Sequence, residues 1–137
     1  MEIAIIKYNA GNVQSVMYAL DRIGMKYQWT DDEKVIASAD KVIFPGVGEA
    51  STAMAYLREK GLDQLIPSLK QPVLATCIGM QLLCRDSEEN NTNCMGVFDV
   101  PVKRFVSADL KIPHVGWNSI QASGENILME GLKKEEY

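Results

Sequence analysis

The chain opens on EIAIIK, a short run of apolar and β-branched residues that stops at the turn-like YNAGN. This predicts a buried strand followed by a loop. The rhythm then changes: Val13, Val16, Met17, Leu20 and Ile23 recur at steps of three and four, which predicts a helix that Asn12 caps and Gly24 ends. KYQWT reads as a second strand, DDEKVIASA as a short acidic helix or turn, and KVIFPG as a third strand broken by Pro45 and Gly46. STAMAYLREKG and LDQLIPSL are helical in pattern, and PVLAT is a fourth strand. VFDVPVKRF and HVGWNSIQA alternate more and hold more turn residues, which suits strands outside a parallel core.

Strands that alternate with helices imply βαβ units, and hence an α/β fold: a mostly parallel, layered sheet with helices on both faces. A chain of 137 residues with neither internal repeats nor low-complexity tracts is expected to be one domain, residues 1–137. In such sheets ligands bind outside the carboxyl ends of the strands, so the loops after EIAIIK, KVIFP and PVLAT should converge on one site.

Charge and cysteine count narrow the field. A net charge of −4 offers no basic footprint for nucleic acid. No apolar run reaches the ~18 residues of a membrane span, and Glu2 and Lys7 interrupt the one stretch resembling a signal-peptide core. These features predict a soluble cytoplasmic protein with no membrane partner. Cys77, Cys84 and Cys94 are odd in number and lie 7 and 10 apart, so they predict reduced thiols; no metal pair and no cofactor motif is visible.

The three loops differ in what they can do. Tyr8-Asn9-Ala10-Gly11-Asn12 could cradle a phosphate, but with one glycine a capping turn is the simpler reading. Pro45-Gly46-Val47-Gly48-Glu49-Ala50 has two glycines two apart, which frees backbone N–H groups to face a ligand as an oxyanion hole requires, although taken alone a strand-to-helix turn is the simpler reading. Ala75-Thr76-Cys77-Ile78-Gly79 has the form of a nucleophile elbow: a strand, a tight turn with small neighbours, and a helix whose N-terminus favours a thiolate. Cys84, further along that helix, is expected to pack, and Cys94 to be a surface thiol in a polar loop.

CIGMQ after a strand, PGVGEA after an earlier one, YNAGN near the start and PHVGWN late in the chain together resemble class I glutamine amidotransferases. More narrowly they resemble the glutaminase subunits of imidazole glycerol phosphate synthase, from histidine biosynthesis. That resemblance implies a flavodoxin-like layered sheet and a heterodimer of glutaminase and cyclase subunits, with glutamine as substrate. It implies that Cys77 attacks the side-chain amide to give a thioester and ammonia, while the N–H groups of Val47 and Ile78 receive the oxyanion. Gly46, Gly48, Gly79 and Gln81 would contact the glutamine, and Glu89 would hold its ammonium. Asn12, Pro113, His114, Gly116, Trp117 and Asn118 match surfaces that face the cyclase.

Two positions depart from the family pattern: Ala75 stands where glycine is usual, and Lys7 where aspartate is common. A third departure is larger. The family's catalytic histidine and glutamate lie one residue apart on a late strand, whereas the single histidine here, His114, sits in PHVGWN with Gly116 two beyond it. The expectation is a glutamine amidotransferase domain lacking its C-terminal portion and not competent as it stands. A cysteine hydrolase or redox-sensing protein of similar fold, and a non-catalytic binding module, remain open.

Overall fold

In a computed structural model the described residues are 1–9, 13–113, 115–117, 119 and 127–130. They form two compact units, Met1–Arg104 and Phe105–Tyr137.

The first unit is built on four parallel strands: β1 (Glu2–Ile6), β2 (Lys26–Thr30), β3 (Lys41–Phe44) and β4 (Val73–Ala75), in the order β2-β1-β3-β4. The apolar run of β1 explains its central place. Side chains alternate across a strand, so Ile3 and Ile5 line one face of the sheet while Ala4 and Ile6 line the other, and all four are buried. Helix α1 (Gln14–Arg22) covers the first face through Val16, Met17 and Leu20. Helices α2 (Glu33–Ser38), α3 (Ala50–Glu59) and α4 (Leu62–Ser68) cover the second and enclose the larger core, in which Phe44, Met54, Leu57 and Leu62 are fully buried. Each such side chain contributes about 1.5–3 kcal/mol by leaving water.

Local signals set the helix ends. Gly24, at φ 68°, donates its N–H to the Asp21 carbonyl and closes α1 as expected. Ile23, expected on the apolar stripe, is instead the residue after the last turn and is 70% exposed, because the helix stops one step short of it. Asn12, the expected cap, lies outside the described residues. Asp32 caps α2 by accepting the N–H groups of Lys34 (2.8 Å) and Val35 (3.2 Å).

Past β4 the expected helix is short. Helix α5 (Ile78–Leu82) makes little more than one turn before the chain enters β5 (Cys84–Ser87), which pairs antiparallel with β6 (Thr92–Asn93) and parallel with β7 (Phe98–Val102). Cys84 therefore lies on a strand, correcting its expected helical place. Cys94 corrects the expected surface thiol: it is half-buried against the main core, and burial raises its thiol above the usual range. VFDVPVKRF contains the expected strand as β7. The described residues of HVGWNSIQA form none.

In the second unit Ser107 Oγ accepts the N–H groups of Asp109 (3.2 Å) and Leu110 (3.0 Å), and a single 3-10 turn spans Ile127–Met129. Among the described residues no helix is long and apolar enough to cross a membrane.

Candidate active site

Strand order reverses between β1 and β3, the crevice where parallel α/β sheets place their ligands. Tyr8, just past β1, crosses that crevice: its buried hydroxyl donates to the Pro45 carbonyl at 2.5 Å, just past β3. Burial first, and the neighbouring Cys77 second, raise the Tyr8 hydroxyl well above its ordinary pKa, so it stays a donor.

The next pair of strand ends, β3 and β4, meets backbone to backbone. Phe44 pairs with Ala75, and the N–H of Thr76 donates to the Phe44 carbonyl at 3.1 Å. A Cβ on Gly79 would run into the carbonyl oxygens of Phe44 and Pro45, and one on Gly46 into the Ile78 side chain, the Gly79 nitrogen and the Tyr8 hydroxyl. The loop holding Gly46, Val47 and Gly48 is thus seated on the elbow holding Cys77, Ile78 and Gly79, as the two motifs lead one to expect.

At the turn itself Cys77 has φ 52° and ψ −124°, a conformation that L side chains rarely adopt. It is exposed, as a nucleophile must be, and it is the residue before α5, whose Gln81 N–H bonds back to its carbonyl at 3.2 Å. Because α5 is so short it presents no long aligned dipole to Cys77, and within its first turn the Gly79 N–H already bonds to the Thr76 carbonyl at 3.0 Å. Ala75 does not carry the positive φ. It ends β4 in ordinary strand pairing, so alanine fits where glycine is usual in the family. Lys7 places its Nζ 5.4 Å over the Trp29 ring, and its backbone N–H bonds to the Thr30 carbonyl.

A third segment joins from the far side of β5. Glu89 begins a 3-10 turn, Glu89–Asn91, and its Oε2 accepts the Ala50 N–H at 2.7 Å, at the end of the PGVGEA loop. Glu49 is the N-cap of α3. Its carboxylate accepts the N–H groups of Ser51 (2.8 Å) and Thr52 (3.0 Å), the Ser51 hydroxyl, and the Asn90 side-chain amide at 2.9 Å. Those donors, the two backbone groups foremost, lower its pKa to about 2. Reasoning from sequence named Glu89 but missed Tyr8 as a strut, and Glu49 and Asn90 as ties. The S/T-rich turn after Glu49 carried a capping signal; Asn90 carried none.

Gly46, Val47, Gly48, Cys77, Ile78, Gly79, Gln81 and Glu89 all belong to the first unit. Val47 is 52% exposed, and Gln81 is half-buried on α5. Of the residues expected to face a partner, Pro113, Gly116 and Trp117 are exposed in the second unit, while Asn12, His114 and Asn118 lie outside the described residues.

Residues 8–108 match the SNO glutamine amidotransferase family. The chain is 52% identical to imidazole glycerol phosphate synthase subunit HisH of Bacteroides fragilis (strain YCH46), over 100% of its own length and 70% of that protein. With the HisH subunits of Blochmanniella floridana and Yersinia pseudotuberculosis it shares 43% and 41% identity, again over 100% of its length and 70% of theirs. Among solved structures, a crystal structure of a glutamine amidotransferase superposes with a TM-score of 0.63 at 21% identity, covering 74% of this chain and 56% of that one. At that identity the superposition speaks for the fold.

Proposed function

The chain belongs to the SNO glutamine amidotransferase family, and from that premise we propose that it is the glutaminase subunit of an imidazole glycerol phosphate synthase, releasing ammonia from glutamine for a cyclase subunit. Identity of 52% to a HisH subunit, over the whole of this chain and 70% of that protein, supports the specific assignment. The observation that carries the chemistry is the glycine seam, which holds Cys77 at positive φ against the PGVG loop.

In this reading the Cys77 thiolate adds to the amide carbon of glutamine, and the resulting oxyanion points to the N–H groups of Val47 and Ile78. Collapse breaks the C–N bond. Ammonia leaves with one added proton, and a γ-glutamyl thioester remains. Water then adds to the thioester, glutamate departs and the thiolate is restored. Gly46, Gly48 and Gly79 let the backbone approach the substrate, Gln81 contacts it from α5, and Glu89 holds its ammonium. Asn12, in the sequence of the first unit, and Pro113, His114, Gly116, Trp117 and Asn118, in that of the second, are the residues assigned to contact the cyclase. The setting is the cytoplasm, consistent with three free cysteines.

Protonating the leaving ammonia and deprotonating the water are tasks for a general acid and base. The one histidine in the sequence, His114, stands in the partner-facing segment, so turnover by these 137 residues is slow. The test is glutamate release from glutamine with the cyclase present, for this chain and for the Bacteroides fragilis subunit. The expected rate for this chain is lower by a factor of ~10²–10⁴, the usual contribution of a positioned acid or base, and what remains is lost in Cys77→Ala. Turnover equal to the relative's and abolished by His114→Ala would make His114 the base and overturn its assignment to the partner face.

A further inference from the structure

The PGVGEA loop is tied at both ends, and its far ties go to a segment that the chemistry above uses only through Glu89. Glu89 gives one carboxylate oxygen, Oε2, to the Ala50 N–H; among the described residues Oε1 meets no donor and is open to an ammonium. Beside this bond runs a second. Asn90 donates its side-chain amide to Glu49 Oε1 (2.9 Å) and to Ser51 Oγ (3.3 Å), joining positions 41 and 39 residues apart in the chain. Glu49 caps α3 through Ser51 and Thr52, so the Asn90 bonds are additional to what a helix cap requires. Asn90 makes them from φ 51°, ψ 31°, the left-handed conformation that asparagine tolerates better than most residues. Glu89 is itself fixed: Ser87 Oγ accepts its N–H at 3.2 Å, and Thr92 Oγ1 donates to its carbonyl at 2.6 Å.

We propose that Glu49 and Asn90 are positioning residues that set the separation between the Glu89 carboxylate and the oxyanion loop, so that the site selects a side chain of glutamine's length over asparagine's. This deepens the proposed function and rests on it. A substrate held at its ammonium and at its reacting carbonyl is measured between two fixed points. Glutamine and asparagine differ by one methylene, and a site with fixed ends separates such a pair ~10–200-fold. The ends must be joined for that. Ala50 follows Val47 by three residues, and the Ala50–Glu89 and Glu49–Asn90 bonds are direct side-chain links between the Val47 loop and the Glu89 turn. A misplacement of about 1 Å can lower reactivity ~10²-fold, so loosening one tie is enough to register.

The test reads reactivity of Cys77 toward the chloromethyl ketone analogues of glutamine and of asparagine, in which the thiolate displaces chloride and no acid or base is needed. Iodoacetamide, blind to length, is the control. The proteins are the 137-residue chain and its Asn90→Gly and Asn90→Asp variants. Glycine fits φ 51° without strain and keeps the fold; aspartate keeps the shape and repels Glu49. Wild type is expected to prefer the glutamine analogue at least ~10-fold. Both variants should lose ~10-fold in glutamine-analogue rate and bring the ratio toward one, with iodoacetamide labelling unchanged. A wild-type ratio retained in both variants overturns the proposal and leaves the Asn90 bonds as extra helix capping. A parallel fall with all three reagents also overturns it, since the tie would then support the elbow itself. If wild type shows no preference between the analogues, the glutamine reading underneath fails, a result distinct from the other two.

Discussion

Cys77, at φ 52° and ψ −124°, and Asn90, at φ 51° and ψ 31°, both hold positive φ, and what enforces it differs. At Asn90 the residue suits the conformation: its side chain is short and polar, its neighbour Asn91 has φ 47°, and the segment is exposed. At Cys77 the residue does not suit it. The turn is imposed by what surrounds it, with Gly79 against the carbonyls of Phe44 and Pro45 and the Thr76 N–H bonded to Phe44. A conformation chosen by its own residue is local and inexpensive. One imposed by tertiary packing stores strain where the reactive atom must be presented.

The sharpest way to break this contrast is to close the seam. Gly79→Ala drives a methyl group into backbone oxygens that cannot rotate away, and is expected to destabilise the protein by about 3 kcal/mol, the upper part of the usual overpacking range. Urea unfolding measures it; a loss below about 1 kcal/mol would mean the wall gives way and does not enforce the turn.

Relieving the strain should act in the other direction. Cys77→Gly is expected to stabilise by about 1 kcal/mol, the release of positive-φ strain less the entropy that glycine adds to the unfolded chain. Asn90→Gly should change stability by no more than about 0.5 kcal/mol, because little strain is present to release. Equal effects from the two substitutions in the same unfolding assay would erase the distinction.

The smallest effect concerns charge at the tie between the segments. The Glu49 carboxyl falls from an ordinary 4.5 to about 2 in the folded protein, so its contribution is fully present above pH 4.5 and disappears as pH falls through about 2. The difference in unfolding midpoint between wild type and Glu49→Gln should therefore be constant at neutral pH and shrink only in that acidic window. Asp31, also lowered, by the Tyr56 hydroxyl, is common to both proteins and cancels. A difference independent of pH down to 2 would show that Glu49 acts by shape alone.

The same contrast explains what was legible in the sequence. β1, β3 and β4 could be read because each is an apolar run stopped by turn residues, and Cys77 could be read because an elbow needs small neighbours in a fixed order. The short α5 could not. Leu82, Leu83 and Cys84 continue an apolar pattern equally suited to helix or strand, and only pairing with Phe98 and its neighbours decides for β5. Cys94 reads as a surface thiol because the polar run NNTN before it hides its contact with the core. Asn90 belongs to no motif. Its bonds to Glu49 and Ser51 depend on two segments meeting in three dimensions, which a linear pattern does not encode.

The seam between Gly46 and Gly79 also bears on transplantation. A graft of residues 75–79 alone into another parallel sheet would carry the cysteine without the neighbouring wall of carbonyls, and the turn would relax to negative φ. Moved together with residues 44–50, the same five residues keep their template. The smallest portable unit of this site is a pair of adjacent strand ends, cut from the sheet as one piece.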